Sequence, residues 1–130
     1  MQTDRDEFIE AYVITALWSS VDDVSGDNLD DPRFRLPRAT RECMSQEAGA
    51  WFDAYQSLMQ AAIDTGDVRY GPDFGPYGRA GHDFWLTRNG HGVGFWDGDW
   101  PEPFAEQLTE AAKRAGGRDL YVSRGWIYQA

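Results

Sequence analysis

Apolar residues recur at three- and four-residue steps in three stretches of the chain, and this periodicity predicts three amphipathic helices. The first spans about Asp6 to Ser20, with Phe8, Ile9, Tyr12, Val13, Ala16 and Leu17 as its inner face. Asp4 is placed to cap it, and Glu7 stands three positions later in a capping-box pattern. The second runs from about Thr40 to Thr65, where Met44, Ala48, Trp51, Phe52, Tyr55, Leu58, Met59 and Ala62 line one side and Gly66 is placed to end it. The third follows Asp99, with Pro101 in its first turn and Glu102 at the capping-box position. Phe104, Leu108, Ala111, Ala112 and Ala115 form its stripe before Gly116-Gly117.

Two other stretches alternate at two-residue steps and predict hairpins. In Gly81–Asp97, the dipeptide Asn89-Gly90 is a strong signal for a type I′ turn. That register pairs Arg88 with His91, Leu86 with Val93, Phe84 with Phe95 and His82 with Asp97. Phe84, Leu86, Val93 and Phe95 then share a core-facing side, against Trp51, Phe52, Tyr55, Leu58 and Met59 of the second helix. Trp85, Thr87 and Trp96 share the other. Leu120–Val122 and Trp126–Tyr128 read as a second hairpin about Arg124-Gly125. Strands in adjacent antiparallel pairs predict an α+β fold, with about four strands in two hairpins and three helices packed mainly on one face. At 130 residues, one domain over 1–130 is expected.

Charge changes the picture. Residues 1–31 hold nine acids (Asp4, Asp6, Glu7, Glu10, Asp22, Asp23, Asp27, Asp30, Asp31) and one base, Arg5, giving −8 of the total −10. The other 99 residues hold 13 acids and 11 bases, giving −2. Such a field repels nucleic acid and anionic membranes and attracts basic surfaces, so direct binding to nucleic acid or membrane is not expected. The lone Cys43 excludes an intramolecular disulfide, suits a reducing cytosol, and reads as a small buried hydrophobe. The acidic start lacks the basic and apolar regions of a secretory signal, and no apolar run is long enough to span a bilayer.

Among chemical candidates, the His82–Asp97 pair across the first hairpin fits a general base or an oriented metal ligand, but equally a hydrogen bond pinning the hairpin's open end. The pair lacks a third ligand or nucleophile at a recognisable spacing, and His91 lies too far along the hairpin to share a metal with His82. The structural role is therefore preferred, with no catalytic residue, metal or cofactor assigned. Asp97-Gly98-Asp99 lacks the remaining ligands of a calcium loop. Gly90-His91-Gly92-Val93-Gly94 is not set between a strand and a helix, as a phosphate loop requires. The aspartates Asp22, Asp23, Asp27, Asp30 and Asp31 fall in a polar loop. They are the leading partner-binding candidates, and Trp85 and Trp96 are the second.

Residues Phe8–Asp23, Gly81–Asp97 and Asp119–Val122 resemble a family of small proteins carried by bacteriophages and mobile elements. The shared signature is Thr-Ala-Leu-Trp-Ser-Ser, the Gly-His-Asp-Phe-Trp-Leu-Thr-Arg-Asn-Gly-His-Gly-Val-Gly-Phe-Trp-Asp segment and Asp-Leu-Tyr-Val. The resemblance carries over no catalytic or binding residue, and implies a setting in the cytoplasm of an infected bacterium. By analogy with small acidic phage inhibitors, the expected role is anti-defence, of anti-CRISPR or anti-restriction type. The expected partner is a host defence protein whose basic nucleic-acid-binding surface the carboxylates would occupy. The alternatives are a small metal-assisted hydrolase centred on His82 and Asp97, or an accessory phage protein-interaction module.

Overall fold

The helix starts differ from the expected ones, and where a side chain satisfies the free amides it comes from the cap residue or from a neighbouring element. The computed structural model describes residues 2–130. Helix α1 covers Asp4–Ser19. Its cap is Thr3, whose hydroxyl accepts from Asp6 N at 3.1 Å while the Asp6 carboxylate accepts from Thr3 N at 3.2 Å. The capping box thus sits one residue before the expected Asp4–Glu7 pair. Helix α2 covers Arg38–Asp64 and buries Met44, Ala48, Trp51, Phe52, Met59 and Ala62. Tyr55 and Leu58 flank that stripe, half-buried. Cys43 lies on the exposed side of α2 rather than in the core.

The expected hairpin over Gly81–Asp97 is not formed. Pro76–Arg88 is instead helix α3, ten of whose thirteen residues are buried. Pro76 occupies the first turn, where its missing N–H costs nothing. Gly75 offers no side-chain cap, so α1 supplies one: Glu7 Oε1 accepts from Gly78 N at 2.9 Å. Asn89-Gly90 ends the helix instead of turning a hairpin. Asn89 Nδ2 donates back to Trp85 O at 2.9 Å, and Gly90 adopts φ +71°. A loop then follows, in which Val93 is exposed and Phe95 is buried. The two-hairpin, four-strand, three-helix arrangement is therefore corrected, among the described residues, to four helices and one two-stranded sheet.

Helix α4 covers Phe104–Ala115, buries Ala105, Leu108, Ala111 and Ala112, and starts from Pro103 rather than from Asp99. Strands β1 (Leu120–Ser123) and β2 (Trp126–Gln129) pair antiparallel, with Tyr121 opposite Tyr128 and Ser123 opposite Trp126. Both turn residues have positive φ, Arg124 at 53° and Gly125 at 81°, as a type I′ turn requires. The inward side chains Leu120 and Ile127 are buried, and Thr40 of α2 donates to Ile127 O at 3.0 Å.

The core is aromatic, with α3 packed most extensively against α1. Gly81 permits that approach, because a Cβ there would lie 2.1 Å from Phe8 O. Trp51 stacks on Phe84 at 4.2 Å between centroids, and Phe8 on Phe84 at 6.0 Å. Phe95 adds to the stack at 5.9 Å from Trp51. The expected meeting of α2 with Phe84, Leu86 and Phe95 is thus made within one core cluster, but from a helix and a loop, and without Val93.

Arg88 closes the far end of α3. Its Nε donates to Gly116 O at 2.7 Å, Nη2 to Ala115 O at 3.2 Å and Nη1 to the Tyr12 hydroxyl at 3.1 Å. Glu47 of α2 forms an ion pair with Arg88 and another with Arg118 at 3.0 Å. Burial raises the Glu47 pKa, but the two arginines outweigh it and hold the carboxyl below its ordinary value. Burial also pushes the Tyr12 phenol up to about 12, against the opposing pull of Arg88.

Candidate functional site

At about 1.5 Å per residue, the sixteen residues of α1 span roughly 24 Å, and the carboxylates of residues 1–31 lie towards its two ends. Towards the N-terminal end, α1 and the segment 73–75 enclose a groove of about 280 Å³. Glu7, Glu10 and Asp73 give it charge, while Ala11, Ile14 and Phe74 give it apolar surface. Glu7 is already engaged as the cap of α3 and Glu10 accepts from Gln2 Nε2, while Asp73 is exposed at the groove's edge.

The groove is continued by an aromatic strip. The His82 ring lies between Phe74, at 6.1 Å, and Trp18, at 5.9 Å. Its Nδ1 is 2.9 Å from Oδ1 of the neighbouring Asp83, which is buried. Trp100 Nε1 donates to the other carboxylate oxygen at 2.7 Å, and Arg79 stands 4.0 Å away. Burial raises the Asp83 pKa, with His82 and Trp100 opposing the shift. The cluster fixes the orientation of a partly exposed imidazole. His82 does not meet Asp97, whose carboxylate accepts from Gly94 N at 3.2 Å instead. The helix carries His82 away from that loop, so the expected pair is replaced by a sequence-adjacent one. His91 lies elsewhere, in a wider cleft of about 440 Å³ together with Ser19, Asp23, Arg118, Asp119 and Tyr121.

At the C-terminal end of α1, the aspartate loop is folded rather than loose. Val21 and Asn28 form an isolated antiparallel bridge, and Asp22 N donates to Asp27 O at 2.9 Å. Leu29 is buried beneath the loop. Asp22 accepts from Ser25 Oγ at 2.9 Å and from the backbone of Val24 and Ser25, contacts that hold its carboxyl below the ordinary value. Asp27 and Asp31 both pair with Arg33. Asp31 is held low chiefly by the Arg33 amide. Asp23 and Asp30 are exposed, and no ion pair engages them among the described residues. The five aspartates thus form one structured loop, in which two of them share a single arginine and the trio stays net negative.

The two tryptophans expected to share a face are separated. Trp85 is 2% exposed, packs edge-on to Tyr12, and donates from its indole to Ser19 Oγ at 2.8 Å. It is a core residue because α3 is surrounded. Trp96 is 52% exposed and lines a cavity with Glu102, Glu106, Glu110 and Lys113. Phe74, His82 with Asp83, and Trp18 were missed from the sequence. The His82-Asp83 adjacency signalled that pair, but the hairpin register assigned His82 to Asp97, and Phe74 and Trp18 reach His82 only through the tertiary fold.

Among the described residues, no group of three or more His, Cys, Asp or Glu side chains is arranged to hold a metal ion and no helix is long and apolar enough to cross a membrane. No family model, curated protein or solved structure matches the chain.

Proposed function

We propose that this protein is an acidic anti-defence protein of phage origin, acting in the host cytoplasm. It binds the basic nucleic-acid-binding surface of a defence effector and competes with nucleic acid for it. The observation that carries the reading is the segregation of charge: −8 of −10 lies before Pro32. Two further features support it. Asp23 and Asp30 project from a loop already ordered by its own hydrogen bonds, so little ordering cost accompanies binding. The groove towards the other end of α1 adds Glu10 and Asp73 beside Ile14 and Phe74, a mixture suited to basic side chains with apolar stems. Such an interface gains association rate and specificity from complementary potential, and weakens as salt rises.

The test displaces labelled nucleic acid from a panel of CRISPR effectors and restriction nucleases, with the protein as competitor. The wild type is expected to displace the label from at least one of them, less effectively as salt rises. A variant with Asp22, Asp23, Asp27, Asp30 and Asp31 all replaced by asparagine is expected to keep its helical circular dichroism and lose displacement. Equal displacement by the variant at low and moderate salt would overturn the loop assignment.

A further inference from the structure

The acidic first quarter of the chain has a counterpart of opposite sign. Residues 32–41 carry Arg33, Arg35, Arg38 and Arg41 without an acid, and residues 120–130 carry Arg124 without an acid. The fold joins these segments edge to edge: Arg35 N donates to Gly125 O at 2.8 Å, and Ile127 N to Arg35 O at 2.9 Å. Arg33, Arg35, Arg124, Gly125 and Trp126 consequently line one pocket of about 160 Å³ with no carboxylate in its wall. Asp27 and Asp31 hold Arg33 in place. Arg35 and Arg124 have no ion-pair partner among the described residues, which leaves the cluster net cationic in a protein of charge −10.

One wall of the pocket is aromatic. The Arg35 guanidinium lies 5.7 Å from the centroid of Trp126. Strand alternation places Tyr128 on the same outer face as Trp126, and its cross-strand partner Tyr121 lies 5.6 Å from it, centroid to centroid. Trp126, Tyr128 and Tyr121 are 41%, 39% and 48% exposed, while Ile127 and Leu120 of the opposite face are buried. The hairpin therefore stands on the core by one side and presents an aromatic strip beside arginines on the other.

We propose that this pocket binds a nucleotide, its phosphate at Arg35 and Arg124 and its base stacked on the Trp126–Tyr128 strip. Guanidinium groups match phosphate oxygens in bidentate geometry, and base–aromatic stacking accepts any base. A single nucleotide suits the site better than a long strand. Asp27 and Asp31 border the pocket through Arg33, and the net field beyond it repels a polyanion. A free nucleotide and the 5′-phosphorylated end of a strand share the required chemistry.

The experiment titrates the full protein at low ionic strength with AMP, adenosine and inorganic phosphate. A 5′-phosphorylated tetranucleotide, its unphosphorylated form and a glutamate peptide are run in parallel. Tryptophan fluorescence and amide NMR shifts report binding. AMP is expected to bind saturably, about tenfold more tightly than adenosine or phosphate alone. Arg35→Gln combined with Arg124→Asn is expected to weaken AMP by about tenfold with unchanged circular dichroism, since asparagine tolerates the positive φ of that turn. Binding of the phosphorylated tetranucleotide more tightly than AMP assigns the strand end as the source, and the reverse order assigns the free nucleotide. Unsaturable AMP, or equal AMP affinity in the double variant, overturns the site. So does inorganic phosphate binding as well as AMP. Preference for the glutamate peptide overturns it in favour of an acidic protein segment.

Discussion

Helix α3 and the β1–β2 hairpin use the same residue types in opposite directions. In α3, Phe84, Trp85 and Arg88 are all buried. The Arg88 donors are matched by two backbone carbonyls, a phenol and a carboxylate, and its guanidinium lies 5.1 Å from the Phe84 centroid. On the hairpin, Trp126 with Arg35 over it stands at the surface, and the arginine has no carboxylate partner among the described residues. The same arginine–aromatic contact is a fastening where solvent is excluded, because buried donors must find acceptors. Where solvent reaches it, the charge stays available to a ligand. Depth, rather than residue type, decides whether the charge is matched within the fold or left facing solvent.

The comparison breaks most readily at α3. Phe84→Ala removes the ring shared by Phe8, Tyr12 and Trp51, and is expected to cost about 3–5 kcal/mol in urea unfolding. A loss below about 1 kcal/mol would show that the core tolerates the cavity and that α3 is not its centre.

Next comes the ion pair beneath it. Glu47→Gln leaves the buried Arg88 guanidinium without its counter-charge and is expected to cost about 3 kcal/mol at neutral pH, the low end for a buried pair because Glu47 is 26% exposed. The folded-state pKa of Glu47 lies below the ordinary 4.5, so this contribution is fully present above that pH. It fades as pH falls through the lower folded value. Wild-type and variant stabilities, measured by denaturant titration at a series of pH values, should therefore converge in acid. A constant difference across that range would assign the effect to packing rather than charge.

The smallest stability effect is expected at the hairpin surface. Trp126→Ala should cost less than about 1 kcal/mol, because the side chain is substantially exposed and its strand is anchored by Ile127. A loss comparable to that of Phe84→Ala would make the outer aromatic strip part of the fold and remove the contrast between the two regions.

Much of the architecture was legible. Helix α2 and the buried stripe of α4 follow from their own 3.6-residue periodicity, since each has one face in the core and one in solvent. The last hairpin follows from two short apolar runs about Arg124-Gly125. Helix α3 was not legible, and the reason is specific to it. Burial on nearly every side removes the polar–apolar contrast that reveals a helix, while Phe84, Trp85 and Thr87 favour strands taken singly. Asn89-Gly90 then served equally well as a helix stop. The helix separates Trp85 from Trp96 and replaces the expected His82–Asp97 pair with His82–Asp83.

The sequence by itself determined where the charge lies, which helices carry a solvent face, and where the chain must turn, because these depend on residues close together in the chain. Only the tertiary structure decided that Gly81–Arg88 coils rather than extends. It alone also decided that Glu7 of α1 caps α3 and that Arg33 and Arg35 meet Arg124 and Trp126. Those outcomes depend on which surfaces surround a segment, and a segment polar and apolar on all sides carries no periodic record of its neighbours.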